Sequence, residues 1–347
     1  MRFVKIYFSY FVSELHIINN SNNISSSSAK SKKFIRFVRL VATVVLIVII
    51  YKYFYKAFTF DNFIDQFTKT YKAENLFFLL FAILLMPLNW ILESAKWKYI
   101  IGLLHKMSWK EAISSVFQGT SLGVITPGRV GEYGGRVIQL PAEYRAFGVF
   151  STFVSSLAQN TINVLGGIIA ILLIDVKYAD VFISMETFTR GAIAILVMIL
   201  FLYFSVNKLW VWAMKISFVE KYLANRAFEN FFPLWNLRGK CMLLFQSFLR
   251  YSVYVLQYYL LLKAFGIPLE DPRIVFGIML IFAVQTLLPL TPILQFTVRG
   301  SIAITILTPF ISGSETVLAM SYTMWLLNLL IPAIVGAVSM YWLRGKG

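Results

Sequence analysis

Cysteine and histidine are scarce in this chain, which has one cysteine, Cys241, and two histidines, His16 and His105, far apart in sequence. A disulfide needs two cysteines, and zinc or di-iron sites need several clustered ligands. The sequence therefore excludes a disulfide framework and predicts no metal site. The phosphate loop G-x-x-x-x-G-K-[ST] and the H-E-x-x-H motif are also absent. We expect no cofactor, no ATP-driven step within this chain and no enzyme activity.

Charged residues are few as well. They make up 14% of the 347 residues, hydrophobic residues make up 59%, and the mean hydropathy is +0.72. A typical soluble domain is about 25% charged and about 45–50% apolar. No long polar stretch remains that would fold as a separate soluble domain. The composition predicts an all-α, polytopic membrane protein built as a helix bundle.

Acidic residues number 16 against 32 lysines and arginines, which leaves a net charge of +16. A nucleic-acid partner is rejected, because the basic residues cluster in connecting segments, above all 1–39 and 207–240, as they do in cytoplasmic segments of membrane proteins. We expect the surplus to attract anionic membrane lipids instead. The same asymmetry predicts a cell-membrane protein with cytoplasmic N- and C-termini, and it leaves the oligomeric state open.

The chain divides into a basic tail over 1–37, a membrane domain over 38–343 and a short cytoplasmic tail over 344–347. The first tail contains an Asn- and Ser-rich tract and is expected to be flexible. A membrane-spanning helix needs about 20 mostly apolar residues. Six full spans are predicted on this basis, at 38–57, 76–95, 147–174, 190–206, 241–265 and 317–342.

Two further apolar stretches are interrupted by a Thr-Pro pair and then resume as a shorter apolar piece. Threonine favours the N-cap and proline the first position of a helix, so each pair predicts the start of a new helix. Non-helical backbone is tolerated at membrane depth where protein or a water-filled cavity surrounds it. We therefore predict two broken or re-entrant helical hairpins: 111–141, broken at Thr126 and Pro127, and 273–311, broken at Thr291 and Pro292.

The two hairpin segments share further local features. Ser108 and Glu111 form a capping box ahead of the first, and Asp271 precedes the second in the same role. Charge counting makes the first hairpin enter from the cytoplasmic side and the second from the outer side. We interpret 76–206 and 241–342 as halves of a weak inverted repeat, of the kind that builds transporter cores around a midplane site. Chance similarity of two apolar segments is the alternative.

Three charges fall in the first hairpin, where a charge costs roughly 2.5–3.5 kcal/mol at a helix centre. Arg129, Glu132 and Arg136 are spaced i, i+3 and i+7, so a helix places them on one face and marks a site. Glycines one residue earlier predict an adjacent bare face where another backbone approaches closely. These glycines are Gly128, Gly131 and Gly135. The alternative is a cytoplasmic loop held by an internal Arg–Glu–Arg salt bridge.

A second polar face lies on the 76–95 span, where Asn89 and Glu93 are one helical turn apart. We expect both to line a polar cavity beside Arg129. Lys96 is interpreted as the partner of Glu93 in an interfacial surface pair, worth well under 1 kcal/mol.

Polar residues on two other spans are given structural roles. Gln159 and Asn163 are expected to hold helices together, with lining of a headgroup path as the alternative. Arg250 lies about two turns inside the cytoplasmic end of its span, and we expect its side chain to snorkel to the interface.

The sequence resembles the transmembrane domain of lysylphosphatidylglycerol synthases, the multiple peptide resistance factor proteins, and their stand-alone relatives. The resemblance is carried by N-W-I-L-E-S-A-K-W from Asn89 and by the run Gly119–Arg136 with I-T-P-G-R-V-G-E-Y at its centre, and it covers roughly residues 40–342. Relatives often end a glycine-rich second element in Arg-Glu. Here Arg299 is kept and Gly300 stands in place of the acid. The soluble aminoacyl-transferase domain of the full-length synthases is not expected in this chain.

The resemblance implies the lipid-translocating half of such a protein. We therefore predict translocation of an anionic phospholipid or lipid-linked headgroup across the cytoplasmic membrane. Arg129, Arg136 and Arg299 are expected to bind phosphate, and Glu132 to position them or to titrate as a coupling site. One alternative is a membrane enzyme acting on a lipid phosphate, for which only Glu132 and Glu93 are available. Another is a non-transporting, lipid-binding envelope protein.

Overall fold

A computed structural model of the chain describes residues 68, 75–174, 185–213, 215, 226–288, 292–311 and 313–342. Every regular element in this part is helical, which confirms the all-α prediction. The predicted tails over 1–37 and 344–347 and the predicted span 38–57 lie outside the described residues.

Six helices make up the first half of the described chain. They are α1 (Leu76–Gly102), α2 (Trp109–Ile125), α3 (Val130–Val137), α4 (Ala142–Leu173), α5 (Met185–Phe204) and α6 (Val206–Ala213).

Six more helices follow. They are α7 (Arg226–Leu234), α8 (Leu237–Ala264), α9 (Arg273–Leu287), α10 (Pro292–Leu307), α11 (Ser314–Trp325) and α12 (Ile331–Trp342). A π-helical turn over Leu326–Leu330 joins α11 to α12, so the two run on as one long rod.

Three of the described helices are long and apolar enough to cross a membrane: α1, α4 and the joined rod Ser314–Met340. Residues Arg190–Phe204 and Val206–Trp212 form a fourth candidate, because together they pass the same test although they meet at a 70° bend. Helix α8 has 28 residues but does not qualify, since Arg250, Gln257 and Lys263 lower its mean hydropathy. Six full spans therefore stay a prediction.

The first predicted hairpin is present as α2 and α3, which pack side by side across a short turn. A capping box begins α2: the Ser108 hydroxyl accepts from the Glu111 N–H at 3.2 Å, and the Glu111 carboxylate accepts from the Ser108 N–H at 2.8 Å. The glycine face meets backbone, as predicted: Gly131 lies against the Leu122 carbonyl, and a Cβ on Gly135 would lie 2.6 Å from the Gln118 carbonyl oxygen.

The turn between these arms differs from the prediction in one respect. Thr126 ends α2, Pro127–Arg129 form a 3₁₀ turn, and α3 begins only at Val130. Pro127 is therefore not the first residue of the second arm, and Gly128 lies in the turn with φ 60° instead of on the glycine face. Thr126 still serves as a cap, because its Oγ1 accepts from the Gly131 N–H at 2.8 Å.

The second hairpin consists of α9 and α10, which run antiparallel with Gly277 near the start of α9 against Leu307 at the end of α10. Pro272 is the N-cap residue of the first arm, and Asp271 just before it accepts from the Arg273 N–H through its Oδ1 at 2.8 Å. Pro292 is the first residue of α10, as the Thr-Pro rule predicts, whereas Thr291 lies outside the described residues.

The contacts between helices of the first half and helices of the second half correspond to one another. Helix α1 lies along α8, α2 packs against α12, and α9 packs against α4. If α1 is exchanged with α8, the first hairpin with the second, and α4 with α11–α12, the α1–α8 contact maps onto itself and the α2–α12 contact maps onto the α9–α4 contact. The inverted repeat stays an interpretation, and this packing agrees with it.

Candidate functional site

The polar face of α1 points into the bundle. Asn89 is fully buried, and Glu93 and Lys96 are only 4% and 1% exposed. The expectation of a surface pair is therefore wrong for Lys96. Its Nζ lies 3.3 Å from Glu93 Oε2 and donates to Gln159 Oε1 of α4 at 3.3 Å. Isolated charges do not persist at such depth, so this face requires partners.

Glu93 forms ion pairs with cations from three helices. Besides Lys96, its Oε1 lies 2.6 Å from Arg136 Nη2 of α3, and its Oε2 lies 3.0 Å from Arg250 Nη1 of α8. A single buried carboxylate thus ties α1, the first hairpin and α8 together.

Glu132 extends the network toward the turn of the first hairpin. Its Oε1 lies 2.6 Å from Arg136 Nη2, and its Oε2 lies 2.9 Å from Arg129 Nη2. The i, i+3, i+7 spacing does place these three side chains together. The ion pairs run without interruption from Arg129 through Glu132, Arg136 and Glu93 to Arg250.

Arg250 is the functional residue that sequence reasoning missed. It does not snorkel: its Nε donates to Asn89 Oδ1 at 2.9 Å, and its guanidinium lies 5.1 Å from the ring centroid of Tyr254. Cation–π and charge-assisted contacts together hold it inside the bundle. The sequence contains a signal for this position. Arg250, Tyr254 and Gln257 repeat on α8 the i, i+4, i+7 polar spacing that α1 uses at 89, 93 and 96.

Arg129 has an unusual backbone. With φ 57° and ψ 26° it lies in the left-handed region, and it is the only non-glycine residue with positive φ in the described part of the chain. Side chains reach this region at a cost of about 1–2 kcal/mol, and such residues concentrate at functional sites. The strained turn lets α3 double back on α2, and it leaves the Arg129 side chain 32% exposed.

A cavity of about 190 Å³ lies beside this network, where both hairpins meet α4, α8 and α11. Three arginines line it: Arg129 from the first hairpin, Arg250 from α8 and Arg299 from α10 of the second hairpin. No carboxylate is among the lining residues. The structure thus brings Arg129 and Arg299, 170 residues apart in sequence, to one place.

The other predicted site residues lie behind the cavity instead of lining it. Arg136, Glu132, Asn89 and Glu93 form the ion-pair network that borders it, and none of them belongs to its wall. In the structure they hold two of the cavity arginines, Arg129 and Arg250, in place.

Uncharged polar groups complete the wall. Gln159 and Asn163 both line it, and they also join helices, since Asn163 Nδ2 donates to the Thr286 hydroxyl at 2.9 Å. Both amides therefore join helices, as expected, and also line the cavity, while the headgroup path stays a prediction. Hydroxyl and amide groups from the remaining helices are Tyr251, Tyr254, Tyr258, Gln285, Ser321 and Asn328.

Cations outnumber carboxylates among the described residues of the network and cavity. Across the described residues that form them, five cations (Lys96, Arg129, Arg136, Arg250 and Arg299) face two carboxylates (Glu93 and Glu132). A guanidinium suits phosphate because it donates two parallel hydrogen bonds. The arrangement can therefore bind an anionic group.

Comparison with known proteins identifies the family of the chain. A family model described as "Lysylphosphatidylglycerol synthase TM region" matches residues 37–342, which is nearly the whole membrane portion of the chain. No curated protein matches the sequence.

Proposed function

Since the chain belongs to the lysylphosphatidylglycerol synthase transmembrane-region family, we propose that it moves an anionic phospholipid or lipid-linked headgroup across the cytoplasmic membrane. One observation carries the proposal: three arginines from three separate elements converge on one cavity whose wall has no carboxylate. A phosphate that enters finds only cationic and neutral partners there.

Phosphate binds in this proposal between Arg129 and Arg299, with Arg250 at the back of the cavity. Charge-assisted hydrogen bonds to a phosphate are about twice as strong as neutral ones. Glu93 and Glu132 keep the guanidinium groups apart and in position without entering the cavity, so they do not repel the headgroup. The strained backbone of Arg129 sets its side chain at the turn, where the arms of the first hairpin meet.

The hairpins act as the moving parts. The first is taken to enter the membrane from the cytoplasmic side and the second from the outer side, so that each closes one access route to the shared cavity. Gly131 and Gly135 contact α2 without side chains, and such smooth surfaces allow a small shift of α3 against its neighbour. No ATPase motif is present in the sequence, so the lipid gradient or a coupled ion supplies the energy.

Purified protein in liposomes with labelled phosphatidylglycerol separates the three candidate classes. Exchange of the label between leaflets, above the rate in protein-free liposomes, is the result that the proposal predicts. Formation of a modified lipid without exchange would indicate a membrane enzyme instead. Lipid-dependent stabilisation of the protein with neither exchange nor product would indicate a lipid-binding envelope protein.

A further inference from the structure

The rod formed by α11 and α12 is interrupted by the π-helical turn Leu326–Leu330, which is followed by a buried proline, Pro332. In a regular α-helix the Asn328 carbonyl would accept from the N–H of residue 332, but proline has no N–H and its ring crowds that carbonyl. The hydrogen bonding shifts by one residue here, since the Ile331 N–H donates to the Leu326 carbonyl, five residues back. Such π-turns bend helices and occur frequently at functional sites.

The two sides of the π-turn belong to different hydrophobic cores. Met320 and Leu327 are buried in the core that α8 and the second hairpin form. Leu329 and Ala333 are buried in another core, against α2 of the first hairpin. The rod therefore passes from one core to the other within Trp325–Leu329, at the π-turn itself.

Close contacts attach each half of the rod to its own hairpin. Gly336 of α12 lies directly against the backbone of α2, and the Ser121 hydroxyl of α2 donates to the Ala333 carbonyl of α12. On the other side of the π-turn, Gly300 of α10 leaves room for the Leu318 side chain of α11. A shift of either hairpin therefore moves the half of the rod that is packed against it.

Helix α4 contacts the same two hairpins but has no such interruption. It is one regular helix of 32 residues without a proline. Its Gly148 lies beside Val137 at the end of α3, and its Gly167 lies against Ala283 of α9. The hairpins are thus connected twice, by a continuous helix on one side and by an interrupted rod on the other.

We propose that the π-turn is the hinge about which the two hairpins move relative to each other, and that bending there opens the arginine cavity while α4 stays straight. The cavity lies between the two connections, since α4 lines it with Gln159 and Asn163 and the rod lines it with Asn328. Asn328 Nδ2 donates to Gln257 Oε1 at 2.8 Å, so α8 holds the centre of the turn while the rod bends on either side. This inference rests on the proposed function, because it identifies the joint by which the hairpins move.

Amide hydrogen exchange, followed by mass spectrometry on the purified full-length protein, tests the hinge without any variant. The amides of 326–331 should exchange at least about tenfold faster than those of 157–163 in the middle of α4, because a hinge opens its hydrogen bonds transiently. Equal protection of the two segments would overturn the inference and leave the proposed function standing. Fast exchange at the π-turn of a protein that moves no lipid would support the hinge and overturn the proposed function instead.

The variant Pro332→Ala restores the missing N–H and should stiffen the rod. We expect its 326–331 amides to exchange more slowly than in wild type, and its thermal stabilisation by short-chain phosphatidylglycerol to stay at the wild-type level. Leaflet exchange of labelled phosphatidylglycerol in liposomes should fall at least about tenfold. Pro87→Ala is the matched control and should leave leaflet exchange unchanged, because Pro87 is exposed within α1, which continues as a regular α-helix around it. Wild-type leaflet exchange by a folded Pro332→Ala protein would overturn the inference.

Discussion

Glu93 neutralises cations from three helices, whereas Glu132 neutralises two within one hairpin. When Glu132 is removed, Arg136 still has Glu93, and Arg129 still reaches the partly open cavity. When Glu93 is removed, Lys96 and Arg250 have no carboxylate left among the described contacts. The two acids, which look equivalent in sequence, are therefore unequal in structure.

We predict that Glu93→Gln destabilises the protein by about 3–5 kcal/mol, the cost of breaking a buried ion pair by removing one partner. Glu132→Gln should cost about 1 kcal/mol, the scale of a single hydrogen bond. Thermal unfolding of both variants in the same detergent measures the difference. Equal losses would show that Glu132 is as central to the network as Glu93.

The first hairpin depends on contact between two backbones. Gly131 and Gly135 lie directly against carbonyl groups of α2, so that any added Cβ atom has no room. By contrast, nothing lies within 4 Å of a Cβ built on Gly191 of α5. Gly135 and Gly191, which both lie in helices, thus differ in whether an added methyl group fits.

Gly135→Ala should therefore destabilise the protein by about 1–3 kcal/mol through overpacking. Gly191→Ala is the control, and we expect it to be neutral or to stabilise α5 by up to about 1 kcal/mol, because alanine favours the helix. Unfolding midpoints in detergent check both changes. A Gly135→Ala protein as stable as wild type would mean that the arms of the hairpin are not held in contact.

Local features of the sequence predicted many of the helices. Hydropathy located the helices, and the Thr-Pro pair located the break in the first hairpin. The bounds within that break could not be predicted, because Thr126 caps α3 from five residues away and a 3₁₀ turn takes up Pro127–Arg129. Such a turn is stable only because the glycine face of α3 folds back onto α2, which is a tertiary effect.

The cavity forms only when helices from the whole molecule come together, because its lining residues are far apart in sequence. Arg129 could be selected from the sequence because it lies beside a helix break, and Arg299 because the family resemblance keeps an arginine at that position. Arg250 was misjudged, because its position near the end of the span allows snorkelling and only the packing of α8 along α1 brings Asn89 and Glu93 to it. The correspondence between the helix contacts of the two halves likewise can be seen only in the packed structure and not in the sequence.

The inverted repeat predicts that the two hairpins begin on opposite sides of the membrane. Lys110 and Glu270 are both exposed and lie near the starts of α2 and α9. In a Cys241→Ser background, Glu270→Cys should react with an impermeant reagent in intact cells, and Lys110→Cys should react only after permeabilisation. Labelling of both positions from the same side would refute the inverted orientation.

The most direct test of the account is leaflet exchange of labelled phosphatidylglycerol in liposomes that contain the double variant Arg129→Gln/Arg299→Gln. Both side chains line the cavity, and glutamine keeps their approximate size while removing their charge. Arg238→Gln, at an exposed position on α8, is the matched control. We predict that exchange falls at least about tenfold in the double variant, the equivalent of 1.4 kcal/mol, and stays at the wild-type rate in the control. Wild-type exchange by a folded double variant would contradict passage of the headgroup through the arginine cavity.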